Sequence, residues 1–354
     1  MSLLEETIAA IIPPDDTYRA KARERLEQLA LPYWSLGRLM DLAEDLAGIT
    51  RSLAPPVAGK TIVTMVGDHG VVVEGVSKYP QEVTPQMVHN FVRGGAGINA
   101  LARQAGAVVV VVDMGVAADL SGLASQGKII SKSVGTGTAN MAVGPAMTRE
   151  QAVKSLEGGI EVAQKLAGST DVFGTGDMGI GNTTPSSAIV ALLGGLPVAE
   201  VTGAGTGIDE AQRLHKIAVI EQALSVNAPD RQDGLDVLAK VGGFEIGGIA
   251  GLILGAAALR KPVVVDGFVS TAAALIAQAL CPTAAAYMIS AHQSVERGHC
   301  AALEVLGKKP LIDLDLRLGE GTGAALAMNF LEAAVMILTE VATFAEASVS
   351  EANT

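Results

Sequence analysis

Four glycine-bearing stretches of this 354-residue chain carry side chains able to do chemistry. The first reads Asp315-Leu-Arg-Leu-Gly-Glu-Gly-Thr-Gly-Ala324, with Arg317 three residues before Glu320. A glutamate set among Leu316, Leu318, Met328 and glycines is poorly solvated, which raises its pKa toward neutrality. Such a group can take a proton from a weakly acidic ring N–H; the same carboxylate could instead cap the helix that follows. The second stretch, Gly174 to Thr184, contains a formal Gly-x-Gly-x-x-Gly (Gly174, Gly176, Gly179), with Glu200 spaced for a ribose contact. That is a dinucleotide fingerprint if a helix opens on it. Its latter part, Gly181-Asn182-Thr183-Thr184, equally suits a helix start facing an anion. The third stretch, Gly203-Ala-Gly205-Thr-Gly207 with Lys216 beyond it, fits either a phosphate and ribose or two tight turns without a ligand. The fourth, Val241 to Gly251, leads through a helix to Asp266-Gly-Phe-Val-Ser270, where Asp266 at a strand end is a better functional candidate than any single glycine. His69 beside Asp68 reads as structural, because no His, Cys and carboxylate cluster with metal-ligand spacing accompanies it. No metal is expected.

These groups need a frame. From Lys60 onward short β-branched runs alternate with Ala-rich segments: Thr61–Val66, Val108–Val112, Thr170–Phe173, Val198–Val201 and Val263–Val265. Continuous apolar runs predict strands covered on both faces, and the alternation predicts βα units in a parallel sheet. In such sheets ligands lie beyond the carboxyl ends of the strands. The first fifty residues are predicted helical: Asp15 and Asp16 suit an N-cap, Arg19–Leu29 and Leu36–Leu46 have helical spacing, and Pro32 breaks between them. Gly323 to Ala347 is predicted to be helix again. The expected organisation is a small helical subdomain from residues 1–55 and 330–354, beside a large Rossmann-like α/β catalytic domain over 56–329.

Composition narrows the function classes. Apolar residues make up 49% and charged residues 18%, with 41 glycines, which suits closely packed helices on a sheet rather than a disordered chain. A net charge of −12 without a Lys/Arg cluster argues against a nucleic-acid partner. The uncharged run Gly267–Ala291 is interrupted by Ser, Thr, Gln and Pro, and Ile246–Leu259 is too short for a span of ~20 residues. Both read as buried core, with no membrane partner. Cys281 and Cys300 read as reduced, buried thiols, and the acidic N-terminus does not resemble a signal peptide, so a cytoplasmic location is expected.

Taken in order, Ser35-Leu-Gly-Arg-Leu, Asp68-His-Gly-Val, Asn140-Met-Ala-Val-Gly-Pro-Ala-Met, Gly179-Ile-Gly-Asn-Thr-Thr-Pro, Asp233-Gly-Leu-Asp-Val-Leu, Lys240-Val-Gly-Gly-Phe, Asp266-Gly-Phe and Arg317-Leu-Gly-Glu-Gly-Thr-Gly-Ala-Ala-Leu-Ala-Met resemble the nicotinate-nucleotide–dimethylbenzimidazole phosphoribosyltransferase family, which activates the lower ligand of cobalamin. The resemblance spans residues 35 to 328. It implies a doubly wound α/β domain with a small bundle from both termini, usually as a homodimer, and a reaction without metal or cofactor. In that reaction a base nitrogen attacks C1′ of nicotinate mononucleotide, nicotinate leaves and an α-ribotide forms. The family's catalytic glutamate falls on Glu320. Its phosphate and nicotinate contacts fall around Gly179, Gly181, Asn182, Gly205, Lys216, Ser294 and Arg317. Asp177, Met178, Thr183, Gly203, Asp266 and Leu318 complete the expected substrate-binding set.

Four features depart from the family pattern. The family's Lys-Pro-Pro-Gly-Ser-Leu-Gly is Leu31-Pro-Tyr-Trp-Ser-Leu-Gly37 here, which introduces Trp34. Tyr79 stands where a serine precedes proline and Met87 where a glutamine approaches the base, both expected at the base-binding site. Asp177 replaces a longer glutamate. These changes predict a bulkier, less polar pocket for a phenol or a substituted benzimidazole, and the resemblance admits a heterodimer of two related chains. A nicotinamide-dependent oxidoreductase using Gly174–Gly179 and a non-catalytic partner subunit are the competing readings.

Overall fold

The computed structural model describes residues 1–203, 205 and 207–350. Six strands form one sheet: β1 (Lys60–Gly67), β2 (Val108–Gly115), β3 (Ile130–Ser131), β4 (Val172–Met178), β5 (Val263–Val265) and β6 (Met288–Ser290). Their spatial order is β3-β2-β1-β4-β5-β6, and every adjacent pair is parallel. This is the doubly wound α/β order, whose direction switches between β1 and β4, where such sheets bind ligands. A two-stranded parallel ribbon, β7 (His292–Gln293) and β8 (Ile312–Asp313), follows beside it.

The sheet is covered on both sides, as its unbroken apolar strands require. Val63, Met65 and Phe173 face a core with the helices Arg149–Leu166 and Phe244–Ala258. Ile62, Val66 and Val172 face a second core with Thr322–Glu340. Along Phe244–Ala258 every residue except the last is buried. A Cβ on Gly251 would lie 1.9 Å from the Leu156 carbonyl, and one on Gly159 would lie 2.0 Å from that of Gly248. The two helices therefore touch backbone to backbone along a glycine seam.

The terminal helices meet each other. Asp15 caps Asp16–Glu27 by accepting from Thr17 N–H, and that helix packs on Arg38–Thr50, which packs on Thr322–Glu340. Arg25 donates from Nε to the Leu338 carbonyl at 2.8 Å, and Leu29 pairs with Thr343. Thr322–Glu340 runs through position 329: its start lies on β4 and β5 and its end on the terminal helices. Among the described residues it is the one helix long and apolar enough to cross a membrane by composition, and 56% of it is buried within the protein.

The structure corrects several expectations. Val198–Val201 is a helical turn: Pro197 directs its start, and Thr202 closes it through N–H and Oγ1 bonds to the Val198 carbonyl. The strand expected at Thr170–Phe173 lies at Val172–Met178 and so contains Gly174 and Gly176. The C-terminal helix stops at Glu340 and a short one resumes at Phe344–Ala347. Cys281 is buried as expected, but Cys300 is exposed.

Candidate active site

At the carboxyl ends of β1 and β4 lies a cleft of ≈ 610 Å³. Glu320 lines it at 5% exposure, in a turn where three successive residues have positive φ: Gly319 at 79°, Glu320 at 62° and Gly321 at 97°. For a residue with a Cβ this conformation costs roughly 1–2 kcal/mol. Several contacts hold it. Thr64 Oγ1 donates to the Glu320 carbonyl at 3.1 Å, and Thr322 donates through N–H and Oγ1 to the Gly319 carbonyl. Behind the turn, Asp266 accepts from Gly321 N–H at 3.1 Å and Ala324 N–H at 2.9 Å. The Glu320 carboxylate accepts from Ile98 N–H at 3.0 Å, in the first turn of Gly97–Ala105.

Two acidic groups of the cleft are shifted in the same direction. Burial raises Glu320, partly opposed by the Ile98 N–H, and the Asp266 charge raises it further. Burial pushes Asp177 up to about 8, the Asp266 charge adds to this, and the Asn182 amide, donating at 2.9 Å, opposes it, so Asp177 holds its proton at neutral pH.

The other side of the cleft is built for an anion. Lys216 is 2% exposed, and its Nζ donates to Thr183 Oγ1 at 2.6 Å. Burial lowers it to about 8, partly countered by Glu296. Thr183–Gly194 begins at Asn182 without a side-chain cap; the Asn182 and Thr184 amides donate to the Gly179 and Gly181 carbonyls and Pro185 has none, which leaves the Thr183 amide to meet a ligand. Gly181, at φ 89°, turns the chain into that helix, and Gly205 lies against Thr183 and Lys216. Met178 and Gly179 continue this wall, Arg317 and Leu318 form its exposed lip, and Met87 and Tyr79 close the apolar end.

Three expected site residues stand behind the cleft rather than in it. Asp266 is fully buried beneath the Glu320 turn. Ser294 N–H donates to His299 Nδ1, and Gly203 makes room for Glu296. Ala204 and Thr206 of the expected glycine loop lie outside the described residues. Trp34 stands apart from the cleft: its Nε1 donates to Asp41 at 2.9 Å, and Arg23 lies over its ring at 4.9 Å. The formal dinucleotide fingerprint dissolves, since Gly174 and Gly176 lie inside β4. A Cβ on Gly174 would strike Ile62 and Met328, and one on Gly176 would lie 2.3 Å from the Glu320 carbonyl oxygen. His69 is buried, 2.7 Å from Glu245, and that carboxylate raises its pKa against the opposing effect of burial, so the pair braces the floor under Gly179. Sequence reasoning missed Ile98 and Thr64, whose ties to Glu320 cross more than two hundred residues and carry no local signal.

A second hollow, ≈ 670 Å³, lies between Gly137–Gln151 and the helix Gly234–Val241, and takes in parts of the Asn140–Met147 and Asp233–Leu238 motifs. Its cations are neutralised locally, Arg149 by Asp233 and Lys240 by Asp236. The reactive groups converge in the first cleft, which is the candidate active site.

A phosphoribosyltransferase family model matches residues 11–349. The chain is 65% identical over 99% of both sequences to the nicotinate-nucleotide–dimethylbenzimidazole phosphoribosyltransferase of Syntrophotalea carbinolica, and 57% identical with the same coverage to that of Desulfotalea psychrophila. The crystal structure of the enzyme of that name from Thermus thermophilus superposes with a TM-score of 0.90 at 44% identity, covering 96% of this chain and all of the other. Fold, cleft and likeness agree: the chain belongs to the nicotinate-nucleotide–dimethylbenzimidazole phosphoribosyltransferase family of enzymes.

Proposed function

We propose that this cleft transfers the phosphoribosyl group of nicotinate mononucleotide to an aromatic base in cobamide biosynthesis. The ring nitrogen of a benzimidazole, or the hydroxyl oxygen of a phenol, attacks C1′ from one face. The bond from C1′ to the nicotinate ring breaks, its electron pair returns to the ring nitrogen, and nicotinate departs. Glu320 takes the proton that the attacking base loses. Lys216 and the amides of Gly181 and Thr183 hold the phosphate, and the Arg317 lip is the seat for the nicotinate carboxylate. Positioning nucleophile and sugar in line supplies several kcal/mol, and proton removal contributes about 10²–10⁴-fold. The observation that carries this reading is Glu320 itself, a desolvated carboxylate facing the cleft from a strained turn. The test is Glu320→Gln, with product ribotide read by mass. Turnover should fall by about 10²–10⁴-fold while nucleotide affinity holds; unchanged turnover removes Glu320 from the reaction.

For the acceptor we propose a phenol or substituted benzimidazole, because Tyr79 and Met87 make the base end apolar. Equimolar competition against dimethylbenzimidazole decides it, and a wide win for dimethylbenzimidazole ends this reading. A homodimer in the cytoplasm is proposed as the working form. Supporting it, the rim exposes Tyr79 and Leu318 at 48% and 59%, apolar surface that a second copy would cover. We further propose residues 1–55 with 330–354 as the small subdomain and 56–329 as the catalytic domain, with the first helix, Leu3–Ala10, reaching across to rest on Arg149–Leu166 and Phe244–Ala258 of the latter.

A further inference from the structure

We propose that Asp266 and Thr64 are positioning residues for the transfer: together they clamp the Gly319–Gly321 turn from behind and fix the direction of the Glu320 carboxylate. This rests on Glu320 being the proton acceptor proposed above. Asp266 is fully buried and does not line the cleft, so it meets no substrate. Its two oxygens are divided: Oδ1 takes the Ala324 amide inside the helix, and Oδ2 takes the amide of Gly321, the residue next to Glu320. A simple helix cap would need only the former. Asp266 is itself fastened, since its N–H donates to Thr175 Oγ1 at 3.0 Å on the neighbouring strand. Thr64, fully buried within β1, holds the turn from the other side through the Glu320 carbonyl. Opposed tethers from β1 and from the residue just past β5, on either side of β4, thus grip one peptide unit, the Glu320–Gly321 amide, by its carbonyl and by its N–H. The charged and titratable groups facing Asp266 are His292, whose Nε2 lies 3.8 Å from Oδ1, and the carboxyls of Asp177 and Glu320.

The experiment compares full-length Asp266→Asn and Thr64→Val with the parent protein. It measures kcat, KM for base and nucleotide, and the titration of the Glu320 carboxyl by carbon-13 NMR, assigned by its loss in Glu320→Gln. Misplacing a reacting group by about 1 Å can cost about a hundredfold, so Asp266→Asn should lower kcat about ten- to hundredfold with base KM within about threefold. Its Glu320 midpoint reports the lost Asp266 charge whatever the role of Asp266, so the charge-neutral Thr64→Val carries the geometric readout: there the midpoint should move to higher pH, because a displaced carboxylate leaves the Ile98 N–H that lowers it, and a merely structural Thr64 would leave it in place. Thr64→Val should lower kcat about three- to tenfold, since a smaller displacement follows from one lost tether. Parent-level kcat in folded Asp266→Asn, or an unmoved midpoint in Thr64→Val, overturns the proposal. Should Asp266→Asn fail to fold, Thr64→Val decides, and parent-level kcat there overturns it. If the parent makes no ribotide from any base, the proposed reaction falls, while the Thr64→Val midpoint still judges the clamp without turnover.

Discussion

Replacing Gly176 by alanine would place a methyl group 2.3 Å from the Glu320 carbonyl oxygen and 2.7 Å from its carbon. Comfortable contact begins near about 3.5 Å, so the turn must retreat by about 1.2 Å or the strand must bow. β4 is held between β1 and β5 by parallel ladders, whereas the turn hangs on single hydrogen bonds, so the turn yields. Overpacking of this kind costs about 1–3 kcal/mol of stability, and a reacting group displaced by about 1 Å loses up to about a hundredfold in rate. The expected result for Gly176→Ala is a folded protein with a melting temperature a few degrees lower and kcat reduced about thirtyfold or more, with little change in nucleotide binding. Thermal melting, calorimetric binding and steady-state kinetics on one preparation measure all three. A variant with kcat within about twofold of the parent would refute the reasoning, because it would mean that the carboxylate does not depend on its backbone seat.

Three further outcomes follow from the charges in the cleft. The pH profile of kcat/KM should be bell-shaped: activity falls as pH drops through the raised Glu320 value, above the ordinary glutamate of about 4.3, and falls again above about 8 as Lys216 loses its proton. A flat profile from pH 5 to 9 would contradict both assignments. Asp177 binds its proton more tightly folded than unfolded, so its contribution to stability declines as pH rises from about 4 to about 8. Asp177→Asn should therefore raise the melting temperature more at pH 8 than at pH 4.5, and an equal shift at both would count against a protonated Asp177. Lys216→Met removes the buried ammonium beside Thr183 and should weaken nucleotide binding about ten- to hundredfold, the range of a lost charge-assisted hydrogen bond. Calorimetry with nicotinate mononucleotide reads this directly, and unaltered affinity would move the phosphate elsewhere.

The long β-branched runs at Thr61–Val66 and Val108–Val112 were legible because a strand covered on both faces has no polar residues to confuse its reading. Val198–Val201 misled for the converse reason: two valines in a run of four carry too little pattern to outweigh a preceding proline. Met288–Ser290 went unread because three residues inside an alanine-rich run leave no period to detect. In the site, Glu320 was legible from its glycine-flanked motif, and Lys216 and Asn182 from theirs. The fingerprint glycines were found, but their purpose was not. Gly174 and Gly176 answer to atoms of Thr322–Glu340 and its turn, nearly 150 positions later, and steric demand from so far along the chain leaves no trace in local composition. Asp266 was expected to bind substrate, and only the three-dimensional arrangement places it behind the Glu320 turn and out of the cleft.

The glycine seam behind the sheet bears on how this scaffold can diversify. With Gly251 and Gly159 each within 2.0 Å of an opposing carbonyl for any added carbon, neither helix can gain bulk unless the other retreats, and retreat would open the core across its whole width. The rear of the molecule is in effect a rigid backplate on which single changes are penalised from either side. Under the proposed function, new acceptor specificities would arise at the front, in segments such as those carrying Tyr79 and Met87, whose side chains line the open cleft and not the seam.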